Sequence, residues 1–115
     1  MENNILKDKK ILIIEDELAI AKIMKRFIEN NEAVVQVAYK GEIGIKIIDE
    51  FKPDILILDE PTSGLDGKNM QIIAHTLKQI AASGTCVIVI THDLELIADS
   101  CDFILDLNSN KKENK

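Results

Sequence analysis

The stretch that decides the fold is "ILILDEPTSGLDG", which runs from Ile55 to Gly67. It starts as a short, uninterrupted apolar run, continues with Asp59 and Glu60, and then turns polar with Pro, Ser and Gly. Apolar runs of this length are typical of strands that are buried on both faces of a parallel sheet. We therefore expect a central strand here, with two carboxylates at its carboxyl end.

On either side of this stretch, two periodicities alternate along the chain. Continuous apolar runs predict strands over 10–14, 33–38, 54–58, 85–91 and 102–107. Apolar residues at helical spacing predict helices around 17–30, 43–51, 70–81 and 93–101. Lys52-Pro53 should end the second helix, and Gly84 should cap the third. Strands alternating with helices predict a three-layer α/β/α domain with a five-stranded parallel sheet that lacks the last helix.

Composition sets limits on what the chain does. The 115 residues suffice for one domain, which we expect over 1–107, followed by a disordered tail over 108–115. The net charge of −6 argues against a nucleic-acid partner. No apolar run is long enough to span a membrane and no signal peptide is recognisable, so a cytoplasmic protein is expected.

Cys86 and Cys101 lie in apolar segments without metal-ligand spacing, which predicts buried, reduced thiols.

Polar residues follow three of the predicted strands, at the edge of the sheet where α/β proteins place their chemistry. They are Glu15, Asp16, Asp59, Glu60, Thr91, His92 and Asp93. The four carboxylates that converge from strands one and three predict a site that can hold Mg²⁺. The alternative is that these carboxylates are solvated, or that Asp16 and Asp93 cap the helices that follow them. His92 is interpreted as a solvated loop residue rather than a base or a phosphate sensor.

The first half of the chain, "KKILIIEDELAIAKIM…DILILD" over 9–59, closely resembles the receiver domain of bacterial two-component response regulators. The resemblance implies that Glu15 and Asp16 are Mg²⁺ ligands and that Asp59 is the phosphorylated aspartate. Thr91 stands where receivers place a Ser or Thr that holds the phosphoryl group. The lysine that receivers carry after strand five is missing, and the nearest one, Lys111, lies in the tail.

The second half, over 55–107, looks like the C-terminal part of an ABC transporter ATPase. By this resemblance "ILILDE" is the Walker B strand, with Asp59 in the metal role and Glu60 as general base. "SGLD" over 63–66 matches the D-loop, and His92 matches the switch histidine. The printed sequence contains neither the phosphate-binding string G-x-x-x-x-G-K-[ST] nor the ABC signature loop. We therefore expect no ATP binding, no enzymatic activity and no required cofactor, with Asp59, Glu60, Thr91 and His92 as vestigial residues.

The two resemblances overlap at the strand ending in Asp59, and together they indicate a chimera with halves 1–59 and 60–107. The resemblance implies a flavodoxin-like sheet of order 2-1-3-4-5, with strand exchange between chains as the alternative. The function hypothesis is an α/β scaffold without evolved activity, engineered from two fragments, although a natural fusion would give the same pattern. The alternative is a degenerate receiver that keeps Mg²⁺ binding and weak phosphorylation at Asp59.

The absent last helix leads to one expectation about partners. In the order 2-1-3-4-5, two helices would normally cover one face of the sheet, and only the first of them is predicted here. Apolar side chains on strands three to five should then be partly bare. Exposed apolar faces favour association, so we expect a homo-oligomer formed through this face.

Overall fold

The computed structural model describes residues 4–60 and 67–91, and for residues 67–70 it describes the backbone alone. Within these ranges the chain alternates between strands and helices, as the periodicity predicts. The elements are β1 (Lys10–Ile14), α1 (Leu18–Glu29), β2 (Val34–Ala38), α2 (Gly41–Phe51), β3 (Ile55–Asp59), α3 (Gly67–Ala82) and β4 (Cys86–Ile90). The helix predicted over 93–101, the fifth strand over 102–107 and the tail over 108–115 lie outside the described residues.

The four described strands form one parallel sheet in the order β2-β1-β3-β4. In β1, Leu12 pairs with Gln36 of β2 and with Leu56 of β3, and Leu56 in turn pairs with Val87 of β4. This flavodoxin-like order confirms the prediction for these strands. The sheet has four strands in the described part of the chain, where the sequence predicts five in all.

The core has one apolar layer on each face of the sheet. On one face, Leu12 and Leu56 are fully buried beneath α2 and α3, and Val87 and Val89 of β4 pack beside them. On the other face, Ile11 and Ile13 pack with Met24 and Ile28 of α1. Alternate residues of each strand point to opposite faces, so strands that are apolar throughout supply both layers.

Asp54 fixes the position of β3 between its two neighbours at the amino edge of the sheet. Its carboxylate accepts a hydrogen bond from the backbone N–H of Lys10 at 2.9 Å, and its own N–H donates to the Lys10 carbonyl at 2.7 Å. The N–H of Cys86 donates to the Asp54 carbonyl at 2.9 Å. Asp54 therefore links β1, β3 and β4, and its bonds fix the register in which these three strands run to their carboxyl ends.

The predicted ends of α2 and α3 are confirmed by the backbone. Lys52, the C-cap of α2, has a left-handed conformation with φ of 51°, and its N–H donates to the Ile48 carbonyl at 2.9 Å. Pro53 follows and cannot continue a helix. Gly84, after α3, has φ of 109°, a conformation that glycine adopts without steric cost.

The α1 side of the sheet is only half covered among the described residues. α1 packs on β1 and β2, whereas Ile88 and Ile90 of β4, which point to the same side, are 44% and 48% exposed. The thiol of Cys86 lies in this row and is exposed, so the prediction that it is buried is wrong. The reason is that Cys86 sits on the side of β4 that no described helix covers. Cys101 lies outside the described residues.

No helix in the described ranges has the length and the apolar content needed to cross a lipid bilayer.

Candidate functional site

Backbone hydrogen bonds place Glu15 and Asp59 side by side at the carboxyl edge of the sheet. Ile14 pairs with Leu58, so Glu15 follows β1 at the level where Asp59 ends β3. The N–H of Glu15 donates to the Ala38 carbonyl at 3.0 Å, which extends the pairing of β1 with β2 by one residue. The N–H of Glu60 donates to the Ile90 carbonyl at 2.7 Å and does the same for β3 and β4. Ladder bonds therefore hold both strand ends in place.

Glu15 is the one charged residue that is buried among the described residues, with 3% of its surface exposed. Its Oε2 accepts a hydrogen bond from the backbone N–H of Glu17 at 3.0 Å. Its Oε1 is buried without a hydrogen-bond partner. Two ionised carboxylates cannot hydrogen-bond to each other, so Oε1 gains a partner at Asp59 only if a proton or a cation lies between them.

Burial is the largest cause of the raised pKa of Glu15. Burial, and next the hydrogen bonding with the neighbouring Asp59 carboxylate, raise the pKa of Glu15 to about 7 in total, against the lowering effect of the Glu17 N–H. Charge repulsion by Asp59 and a contact with Asp16 act in the same upward direction. With a pKa of about 7, Glu15 is partly protonated near neutral pH, where an exposed carboxylate would be fully ionised.

Asp16 lies next to this pair but does not cap α1. The N-cap position is occupied by Glu17, whose side chain makes no capping hydrogen bond, and Asp16 is exposed. The alternative that Asp16 caps the helix is therefore wrong. The Glu15 carboxylate comes to the helix entrance from the end of β1 and takes the Glu17 N–H itself. Asp93, the other proposed cap, lies outside the described residues.

The predicted Mg²⁺ ligands are only partly brought together. In the described ranges, no group of three or more acidic, His or Cys side chains has an arrangement that holds a metal ion. Glu15 and Asp59 are nonetheless neighbours, and Glu15 Oε1 lacks a partner that a cation would supply. Mg²⁺ commonly binds through one or two carboxylates and completes its octahedron with water. The pair fits a Mg²⁺ ion of that kind, with Asp16 close by.

The residues implied by the ATPase resemblance are placed in part. Glu60 is half-buried directly after β3 and has a left-handed backbone with φ of 50°, which costs energy in a residue with a side chain. Thr91 is half-buried directly after β4. His92 and the predicted D-loop over 63–66 lie outside the described residues.

A cavity that sequence reasoning missed opens beside the acidic edge. It has a volume of about 940 Å³ and lies between α2 and α3, with Asp16, Asp59 and Glu60 at its acidic end. Tyr39, which directly follows β2, lines this cavity. Its volume depends on how far α2 lies from α3, and periodicity carries no information about that distance.

The family of this fold follows from comparison with known proteins. The response regulator receiver domain matches residues 11–102. The chain belongs to the response regulator receiver domain family. The match passes Asp59 and continues through the second half, so the receiver likeness is longer than the first 59 residues on which the sequence resemblance rests.

Two solved structures have a similar fold, and one of them is a signal receiver domain. The signal receiver domain of a DNA-binding response regulator from Colwellia psychrerythraea is 30% identical with a TM-score of 0.62, and the alignment covers 83% of this chain and 82% of that one. The N-terminal domain of an uncharacterized protein from Wolinella succinogenes is 29% identical with the same TM-score of 0.62, covering 80% of this chain and 72% of that one.

Curated relatives point to the second family as well. A putative ABC transporter ATP-binding protein from Treponema denticola is 36% identical over 84% of this chain, and a similar protein from Pyrococcus horikoshii is 36% identical over 57%. An energy-coupling factor transporter ATP-binding protein from Streptococcus pyogenes is 28% identical over 86%. The chain spans only 20%, 25% and 35% of these three proteins respectively. This receiver domain thus carries ABC ATPase similarity along most of its length, as expected for a recombination of the two families.

Proposed function

We propose that this receiver domain is an α/β scaffold that combines receiver and ABC ATPase fragments, engineered or fused in nature, and has no evolved catalytic activity. The observation that carries the proposal is the composition of the carboxyl edge. Its described part has the carboxylates Glu15, Asp16, Asp59 and Glu60. Lys40 lies on the wall of the adjacent cavity, and no lysine or arginine side chain in the described part of the chain offsets the charge of Asp59 at Glu15. Phosphoryl transfer relies on positive charge for its transition state, and an edge of this charge opposes it.

ATP turnover tests the lack of activity. The purified chain with Mg²⁺ and ATP should release phosphate at the rate of the protein-free control. A Glu60→Gln variant should give that same rate, because the printed sequence contains no phosphate-binding loop that would hold ATP beside Glu60. Turnover above the control that disappears in Glu60→Gln would overturn the proposal.

The juxtaposition of Glu15 and Asp59 favours a second candidate, a degenerate receiver that keeps weak Mg²⁺ binding and phosphorylation at Asp59. Glu15 Oε1 is the atom that a cation would satisfy. With acetyl phosphate as donor, an Asp59 Oδ would attack phosphorus and form an acyl phosphate, while the P–O bond to acetate breaks and acetate leaves. Bound Mg²⁺ would supply the charge neutralisation that a phosphoryl group needs at this edge.

Intact-protein mass distinguishes the two candidates. Under the scaffold proposal, acetyl phosphate and Mg²⁺ leave the mass unchanged. Under the receiver proposal, the mass rises by one phosphoryl group in the wild type and in Asp49→Asn, an exposed control on α2, but not in Asp59→Asn. Addition of the same group to all three proteins would exclude a specific acceptor at Asp59.

The half-covered α1 side of the sheet supports a homodimer as the assembly of this scaffold. The exposed row on β4 (Cys86, Ile88 and Ile90) carries no charge. Exposed Ile23 and Phe27 lie on α1, which packs on the same side of the sheet. In a chain with a net charge of −6, two copies repel one another least where both surfaces are uncharged. A second copy is therefore the partner that this face favours.

Sedimentation at high concentration tests the dimer. The wild type should sediment as a dimer, and the double variant Ile88→Lys with Ile90→Lys as a monomer. Ile43→Lys on α2, equally exposed on the opposite side of the sheet, is the matched control and should remain dimeric. A wild-type monomer at high concentration would contradict this assembly.

A further inference from the structure

The crevice between α2 and α3 exists because each helix packs over a different part of the sheet. α2 packs on β1 and β2, whereas α3 packs on β4, and the described parts of the two helices do not pack on each other. The space between the helices at the carboxyl ends of β1 and β3, beside Ile14 and Leu58, is left open, with a volume of about 940 Å³. A second opening of about 210 Å³ shares Ile45 and Thr76 with it and continues along the same crevice. Natural small-molecule sites have volumes of roughly 300–1,000 Å³.

The lining of this crevice is mostly apolar. Buried Leu58 and Leu77 lie on its floor and walls with half-buried Ile73, and exposed Ile45 and Ile72 lie at its sides. Ile45 and Ile72 are 43% and 55% exposed, so a ligand that covers them removes apolar surface from water. Burial of this kind is the main source of affinity for an apolar ligand.

The negative charge around the crevice favours a ligand whose polar group is positively charged. Among the residues that the structure describes, four carboxylates line it, those of Asp16, Glu42, Asp59 and Glu60, against one ammonium, that of Lys40. Tyr39 adds an aromatic ring, a group that attracts cations to its face. Anions, nucleotides among them, are repelled from such an edge, whereas a protonated amine is attracted to it.

From this arrangement we infer that the crevice between α2 and α3 is a binding site for small amphiphilic cations, compounds with an aromatic or aliphatic body and a protonated amine. The apolar body lies between the two helices, and the amine lies at the acidic edge. The inference does not depend on Mg²⁺ binding or on phosphorylation at Asp59. It does predict that Mg²⁺ and the cation compete, because both approach Asp59.

A series of probes that differ only in charge tests the inference on the full chain in EDTA. The probes are 1-naphthylmethylamine, 1-naphthylmethanol and 1-naphthylacetate, titrated while methyl resonances of isoleucine are observed by NMR. The amine should bind most tightly and shift the Ile45 and Ile73 methyl groups. The acetate should bind about tenfold more weakly or worse, because its charge has the wrong sign. Equal binding of amine and acetate, or shifts confined to Ile88 and Ile90, would overturn the inference.

Two variants with matched controls locate the site. Thr76→Trp fills the crevice and should abolish amine binding, whereas His75→Trp, on an exposed position of the same helix, should leave it unchanged. Glu42→Gln, an exposed change that spares the fold, should weaken the amine several-fold and leave the alcohol unaffected. Unchanged amine binding in both Thr76→Trp and Glu42→Gln would contradict the inference, and the result for Glu42→Gln stands even if the Trp variant unfolds.

Discussion

At the scale of single residues, Glu15 differs from the other described residues of the carboxyl edge because its carboxylate is buried next to that of Asp59. Its Oε2 accepts a hydrogen bond from the Glu17 N–H. Its Oε1 has no hydrogen-bond partner, and a proton or a cation could supply one. The sequence indicates carboxylates at this edge, since they follow buried strands. It does not indicate which of them is buried, and this depends on how closely α1 follows β1.

The raised pKa of Glu15 predicts how stability changes with pH. The folded-state pKa of about 7 lies above the ordinary value of 4.5, so folding favours the protonated form. This contribution is complete below pH 4.5 and is lost as the pH rises through 7. In EDTA, the free energy of unfolding of the wild type should therefore fall as the pH rises from 4.5 to about 7, by at most about 1.4 kcal/mol per pH unit.

Denaturant unfolding of Glu15→Gln at the same pH values checks this prediction. The variant has no titratable group at position 15 and should show no such fall, so that it becomes the more stable protein at pH 8. Glu17→Gln, an exposed control, should follow the wild type. Parallel pH curves for the wild type and Glu15→Gln would show that Glu15 titrates normally.

A second residue-scale prediction concerns two glycines of α2. A Cβ added at Gly44 would overlap Cδ1 and Cγ1 of Ile14, whereas one added at Gly41 meets nothing within 4 Å. Displacing Cγ1 requires a change in the stiff χ1 angle of isoleucine. Since both changes gain helix propensity, Gly44→Ala should be less stable than Gly41→Ala by about 1–2 kcal/mol. Equal thermal midpoints for the two variants would contradict the close packing of α2 on β1.

At the scale of elements, every strand and helix in the described ranges was predictable, because the apolar pattern changes period at each boundary. Helix ends followed from Pro53 and Gly84, residues whose backbone limits are local. The cavity and the exposure of Cys86 were not predictable. Both depend on where helices lie over the sheet, and in the described chain α3 lies over β4 and α1 over β1 and β2.

The two left-handed helix ends lead to changes of stability with opposite sign. Gly84→Ala places a Cβ at φ of 109° and should cost at least about 1 kcal/mol. Lys52→Gly relieves a left-handed lysine at φ of 51° and should stabilise by up to about 1 kcal/mol. Thermal unfolding measures both. The same sign for both variants would mean that the backbone at one of these ends differs from the structure.

At the scale of the whole molecule, the join between the two resemblances runs through the middle of the sheet. β1 and β2 come from the receiver-like half, β4 comes from the ATPase-like half, and β3 is common to both. Asp54 bonds to both neighbours of β3, and Glu60 bonds to Ile90 of β4. Apolar residues of both halves share the core beneath α2 and α3. The halves should therefore unfold together as one cooperative unit.

Native-state hydrogen exchange tests this central claim most directly, because it reports the opening free energy of each strand in one experiment. Amides of β1, β3 and β4 should exchange with the same free energy, equal to that of global unfolding, and should respond in parallel to added denaturant. If the amides of β4 and α3 open at a distinctly lower free energy while β1 and β2 stay protected, the two halves are separate units. The account of a single recombined receiver domain would then be wrong.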